Sequence, residues 1–241
     1  MKHFLTFGSE HYKGRVSPLC EQVKKLQIFN YIWGITDDHL KKDSQFWEQH
    51  KEHIEKNSRG YGYWVWKPYL IWVIMHCNMK DDDILLYLDA GCEINPQGKN
   101  RLLEYFDMVS EDPVGILAQI IIGTSQERRW TKSDIFDYLN TWEYKEEFQR
   151  ASGIILFRKT PASINFVRDW YIACCNYELV SDKPSKIPND PTFVENRHDQ
   201  SMFSGLCHIY KVKSIPDETY YEDWDSEKSK SSPIHARRRI S

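Results

Sequence analysis

The chain predicts an α/β fold in which a mostly parallel sheet is flanked by helices, and three observations carry that expectation. Strand-like and helix-like segments alternate from the first residues onward, the pattern of linked β-α-β units. One segment, Ile84-Leu85-Leu86-Tyr87-Leu88, is apolar at every position, as a strand covered on both faces by helices requires. That run follows the acidic turn Asp81-Asp82-Asp83 and stops abruptly in Asp89-Ala90-Gly91-Cys92-Glu93. A carboxylate is thereby delivered to the carboxyl end of a central strand, where open α/β sheets bind ligands. Asp89 is costly to bury there unless a cation or hydrogen-bond donors compensate it.

The 241 residues permit one sizeable core, and the absence of a convincing linker or internal repeat assigns 1–241 to a single domain. A formal net charge of -3 gives no basic excess to suggest nucleic acid and no acidic tail to suggest a solvating chain. The start, Met1-Lys2-His3-Phe4-Leu5-Thr6-Phe7-Gly8, is interrupted too early for a signal peptide, and no segment approaches a membrane-spanning length. A cytoplasmic location is the expectation. The 6 cysteines have no paired C-x-x-C spacing and read as reduced thiols, mostly in the core.

Taken in order, Phe4 to Phe7 reads as a first strand and Pro18 to Tyr31 as a helix with Leu19, Val23, Leu26 and Phe29 on one face. A second strand is expected around Asn30 to Ile35, then a polar helix from Leu40 to Lys56. The segment Arg59-Gly60-Tyr61-Gly62-Tyr63-Trp64-Val65-Trp66-Lys67-Pro68 leads into a helix through Met75, with Pro68 in its first turn where a missing N–H costs nothing. Beyond the Asp89 strand come a helix at Lys99 to Val109 and a strand at Pro113 to Ile122. Thr131-x-x-Asp134 has the form of a capping box opening a helix with Phe136 and Leu139. A strand at Ser152 to Phe157, a helix at Pro161 to Tyr177, a proline-punctuated loop at Pro184 to Pro191, a helix at His198 to Leu206 and a strand at His208 to Val212 follow.

Several side chains could carry chemistry, and each has a plainer reading. Asp89 is either a site carboxylate or a strand-end turn residue. Glu93 shares its strand parity, or is a solvated loop acid. Lys67 could offer an ammonium to a phosphate or sugar at a helix N-terminus, or be a surface lysine beside core aromatics. Arg59 with Gly60 and Gly62 could form a lip over a ligand, or a simple turn. Asp199, in His198-Asp199-Gln200 at a helix start, could act as a general base or merely cap. His235 with Arg237, Arg238 and Arg239 could supply an imidazole to a hard cation and guanidinium forks to a diphosphate, or form a solvated basic tail.

Together and in this order these segments resemble the nucleotide-sugar glycosyltransferases of the GT-A fold, a single Rossmann-like domain, and most of all its small viral and bacterial members. The likeness rests on Thr6-Phe7-Gly8, the Arg59 to Pro68 segment, Tyr87-Leu88-Asp89-Ala90-Gly91, Ser152-Gly153-Ile154-Ile155-Leu156, His198-Asp199-Gln200-Ser201 and the late His235 with its arginines, and spans nearly the whole chain. It implies transfer of a sugar from a nucleotide-diphosphate donor, UDP-linked first, to a hydroxyl of a glycan or glycoconjugate, metal-assisted and inverting. In that family an Asp-x-Asp motif holds Mn²⁺ or Mg²⁺ against the diphosphate and a late histidine completes the site. Here Asp89 and His235 are the matching ligands, and Gly91 stands where the second aspartate would be. The likeness further places the nucleotide near Thr6, Gly8, Tyr12 and Asp37, and the diphosphate near Asp89, Ala90, Gly91, Lys67, Arg237 and Arg238. It sets Trp66, Lys132, Asp134, Ser152 and Gly153 on the sugar and acceptor side, with Asp199 as the base. Peripheral membrane contact would suit the lipid-linked acceptors common in the family.

Two other classes stand beside this reading. A metal-dependent phosphatase also centres on a strand-end aspartate, but usually has another two residues on, where this chain has Gly91. A binding protein could keep the fold and the nucleotide-sugar or carbohydrate site without turnover.

Overall fold

The computed structural model of the chain describes residues 1–238; Arg239 lies outside them. Eight strands are present among the described residues: β1 (Lys2–Gly8), β2 (Tyr31–Thr36), β3 (Ile84–Leu88), β4 (Glu93–Ile94), β5 (Ile116–Ile120), β6 (Arg150–Arg158), β7 (Lys213–Pro216) and β8 (Ile234–His235). Six form the central sheet in the order β2-β1-β3-β6-β5-β7, and β4 and β8 form a separate two-stranded ribbon. β1 runs parallel to β2 and β3, and β5 parallel to β7, while β6 is antiparallel to both its neighbours. The sheet is thus mostly parallel, with one reversed strand inside it.

β3 is apolar throughout because both its faces are covered. Leu85 and Tyr87 join the core on one face with Leu5, Phe7, Ile155 and Phe157. Ile84, Leu86 and Leu88 point to the other, with Phe4, Ile154 and Leu156. The first core is covered by the helices Trp66–Val73, Pro161–Cys174 and Asp199–Ile209, the second by Val16–Lys25 and Lys99–Glu111. Alternation of period 2 in a strand buried on both sides leaves no polar face, so the sequence reads as a solid apolar run. Among the described residues no helix is long and apolar enough to cross a membrane.

Several boundaries differ from expectation for local reasons. The first helix is Val16–Lys25, not Pro18 to Tyr31. Its periodicity stops where Gln27 adopts a left-handed φ of 55° and Asn30 exchanges hydrogen bonds with Lys2, starting β2 alongside β1. The Leu40 to Lys56 segment is two helices, Asp37–Lys42 and Ser44–Lys56, because Asp43 between them caps the second by accepting the Phe46 amide at 3.1 Å. Thr131 and Asp134 form no capping box. Lys132 precedes the helix Ser133–Leu139, Thr131 donates to Glu127 at 2.8 Å, and Asp134 accepts the amides of Lys186 and Ile187. His208 belongs to a helix that runs to Ile209, and the last strand of the sheet begins only at Lys213. The six cysteines are all unpaired; Cys92, Cys174 and Cys207 are buried, whereas Cys77 is exposed.

Candidate active site

The carboxyl end of β3 opens on a cleft of about 1120 Å³. Asp89, the first residue beyond the strand, is held by its amide to the Gly153 carbonyl at 2.9 Å and by its Oδ1, which accepts the Tyr87 hydroxyl at 2.6 Å. Tyr87 is fully buried, so the strand itself supplies the donor that fixes its terminal acid. Gly153 on β6 leaves room for the carboxylate: a Cβ there would lie 2.7 Å from Asp89 Oδ2.

The helix Trp66–Val73 brings Lys67 beneath the same point. Its first turn is aimed by a strained segment in which Tyr61, Gly62, Tyr63 and Trp64 all take positive φ, three of them without the freedom of glycine. Gly62 is required there, since a Cβ would meet Ile54 at 2.7 Å. The Trp66 indole locks the turn by donating to the Gly60 carbonyl at 2.9 Å. Lys67 is 2% exposed, and its Nζ lies 3.2 Å from Asp89 Oδ1 and 3.1 Å from Asp199 Oδ2. It also donates to the carbonyl and hydroxyl of Ser152. Burial pulls the ammonium's pKa down, but Asp199 and Asp89 override it and the net direction is up.

Asp199 is the first residue of its helix, following His198 in the unusual conformation φ 60°, ψ -120°. Its Oδ2 accepts the Ser152 hydroxyl at 2.8 Å, and its carbonyl accepts the Trp170 indole at 3.0 Å. Burial raises the Asp199 pKa, Lys67 opposes that and Asp89 adds to it, leaving it raised. Burial drives the neighbouring His198 imidazole to about 4, neutral at ordinary pH despite Asp182 at 3.1 Å. Two carboxylates therefore share one buried ammonium on the floor of the cleft.

Of the residues singled out in the sequence, Gly8, Tyr12, Arg59, Trp66, Lys67, Asp89, Ala90, Gly91, Ser152, Gly153, Asp199, Arg237 and Arg238 line this cleft. Thr6 does not; it is wholly buried inside the sheet with its hydroxyl unpartnered. Asp37 heads a short helix, paired with Lys13 and Lys41. Lys132 is buried against the Glu178 carbonyl at 3.0 Å, and Asp134 pins the 184–187 loop beside a separate hollow. His235 sits opposite Glu93 in the β4–β8 ribbon, four residues beyond the level of Asp89, with Nε2 donating to the Ser229 carbonyl at 2.8 Å. Gln200 of the His198-Asp199-Gln200 motif lines the cleft too, and so do Arg197, Trp130, Asp217 and Trp224, which belong to no segment named above. Arg197 directly precedes His198-Asp199-Gln200, the one sequence signal that could have found it.

The donor set does not fit a divalent ion. Gly91 brings no carboxylate and His235 is turned onto a carbonyl, so Asp89, with Oδ1 shared by a phenol and an ammonium, stands alone among the expected ligands. No group of three or more His, Cys, Asp or Glu side chains able to hold a metal gathers among the described residues.

No family model matches the chain, and no curated protein matches it. Solved structures do. Mouse xyloside xylosyltransferase 1 is similar over 100% of both chains, at 12% identity and a TM-score of 0.50. The WbbM bifunctional glycosyltransferase is similar over 98% of this chain and 45% of its own, at 12% identity and a TM-score of 0.52. The class these likenesses define is that of the GT-A fold, and the expected α/β architecture with a mostly parallel sheet is that of the chain.

Proposed function

We propose that the protein is a glycosyltransferase that moves a sugar from a nucleoside-diphosphate donor to a hydroxyl of a glycan or glycoconjugate. The observation that carries this reading is the Asp89–Lys67–Asp199 cluster on the floor of a large cleft at the carboxyl end of the central strand, in a GT-A fold. Fold alone would not carry it.

In this reading Lys67 sets the spacing of the two acids and sets a positive charge between them. Asp89 faces the donor, and Asp199 accepts the proton that the acceptor hydroxyl loses in an inverting displacement. Its raised pKa is the direction a proton acceptor needs. Gly8 and Tyr12, which line the cleft, would meet the nucleoside in this reading, and Trp66 and Ser152 the sugar. A divalent ion would find only Asp89 of the expected ligands at the cleft, so no step is routed through one.

The test is a panel of nucleotide sugars, UDP-linked donors first, read by transfer or slow donor hydrolysis and by the rise in melting temperature on binding. Turnover of one donor with loss in Asp89→Asn is the expected result. Binding without turnover would identify a nucleotide-sugar-binding protein instead, and phosphate release from simple monoesters a phosphatase.

A further inference from the structure

Gly91 stands where the likeness expects a second carboxylate, and the molecule fills that space with its own tail. A Cβ at residue 91 would lie 3.0 Å from Arg238 Cα and 3.2 Å from the Tyr12 ring. The pairing of Glu93 with His235 in the β4–β8 ribbon carries Ala236, Arg237 and Arg238 back over the Asp89–Cys92 loop. Arg237 lies over the Trp224 ring at 4.7 Å, with Nε 3.4 Å from Glu93 Oε2. That Nε is buried without a hydrogen bond. Arg238 is exposed in the cleft and makes no ion pair or hydrogen bond with a described residue.

In the same cleft Arg197 stacks on the Trp130 ring at 3.9 Å, and its Nε too is buried without a hydrogen bond. Its nearest carboxylate, Glu195, is 3.6 Å away and is shared with Arg59. Burial lowers the Arg197 pKa, Glu195 opposes this, and Arg238 and Arg59 lower it further. Arg197 thus lies within reach of the positive charges of Arg238 and Arg59 in one cleft, an arrangement that a bound anion relieves.

We propose that Arg197, Arg237 and Arg238, which line one cleft, together clamp the donor diphosphate and neutralise the departing nucleotide, so that donor binding and transfer need no divalent metal. The inference rests on the sugar-transfer reading above. In the transfer, the bond from the anomeric carbon to the β-phosphate oxygen breaks and its electron pair stays on that oxygen. The acceptor oxygen bonds to the anomeric carbon, and its proton passes to Asp199. The leaving nucleotide gains one negative charge, which planar guanidinium forks match geometrically.

The experiment is calorimetric titration of the full chain with UDP, GDP, CDP and ADP, in EDTA and in excess Mn²⁺, alongside the transfer assay in both buffers. One nucleotide should bind with equal affinity in the two buffers. Arg197→Gln and the Arg237→Gln/Arg238→Gln double variant should each lose roughly tenfold or more, as expected for a lost charged hydrogen bond. The matching lysine variants should recover part of the loss, because the charge remains and the fork does not. Melting temperatures of the ligand-free variants, close to that of the parent, establish that they fold. Binding and transfer that require Mn²⁺, or arginine variants with unchanged affinity, would overturn the clamp and leave the sugar-transfer reading standing. Neither binding nor transfer in either buffer would remove both.

Discussion

Strand β3 carries an aspartate at each end, and the two are treated in opposite ways. Asp83, just before it, is buried and closed by donors on both oxygens: the amino-terminal ammonium on Oδ1, and His3 Nε2 at 3.2 Å with the Lys80 amide at 2.9 Å on Oδ2. Asp89, just after it, leaves 42% of its side chain exposed to the cleft. Its Oδ1 is held by Tyr87 and Lys67, while Oδ2 accepts no hydrogen bond from a described residue. A structural acid has its acceptor capacity filled, and a working one keeps an oxygen available. The cation beneath Asp89 is buried where the acid is not, so the charge is presented outward.

The largest expected effect comes from removing that cation. Lys67→Met leaves Asp199 buried beside a second carboxylate with no compensating charge, at a cost of about 3–5 kcal/mol. Urea unfolding would read the loss, and transfer should vanish. Adding Asp199→Asn should restore much of the stability and none of the transfer. Full stability in the single variant would mean that the cluster is not the buried ion triad described.

The two aspartates are then separated by Asp89→Asn and Asp83→Asn. The first should cut transfer by roughly 10²-fold, the scale of one lost transition-state electrostatic contact, with little change in unfolding. The second should cost about 1–3 kcal/mol by unsatisfying buried donors, with kcat unchanged. Exchange of these outcomes would invert the assignment. Gly153→Ala is a smaller intrusion: its Cβ would press on Asp89 Oδ2, a contact of 2.7 Å that displaces the carboxylate. A loss of kcat of roughly tenfold at unchanged stability would be consistent with misplacing a reacting group, and an unaffected kcat would show that Oδ2 has no part in transfer.

How much of this was legible follows from how each signal arises. β3 and Asp89 were readable because burial on both faces writes a continuous apolar run whose end is abrupt. Lys67, Ser152 and Asp199 were readable because each sits within the first three residues of a regular element next to a punctuating residue, Pro68, Gly153 and His198. The family likeness sets Thr6 at the site, yet a strand buried on both sides gives no sign of which side chains face a ligand, and Thr6 is wholly buried. Asp37 and Lys132 also have charges typical of a site, but their partners, Lys13 with Lys41 and the Glu178 carbonyl, come from contacts that no local pattern announces. The break at Asp43 was missed because one capping carboxylate outweighs helix periodicity on either side of it. The pairing of Arg197 with Trp130 was hidden for the opposite reason: their stack joins residues 67 positions apart (197 minus 130), and only Arg197 adjoins a motif.

The smallest effect is also the sharpest contrast, because pH should act with opposite sign near the two ends of β3. At Asp83, burial raises the pKa, but the terminal ammonium, the Lys80 amide and His3 lower it below the ordinary 3.8. A carboxyl lowered on folding contributes stability above its unfolded value and loses it as the pH falls through its folded one. At Asp199 the folded pKa lies above 3.8. Its contribution is full below the unfolded value and is lost as the pH rises through the folded one. The stability deficit of Asp83→Asn should therefore grow with pH over the acid range, while that of Asp199→Asn should shrink. Neither slope should exceed about 1.4 kcal/mol per pH unit for one proton. Denaturant midpoints of both variants against the parent, taken from pH 3 upward, would show the two trends, and parallel slopes would mean that the acids near both ends of the strand are buried in the same electrostatic surroundings.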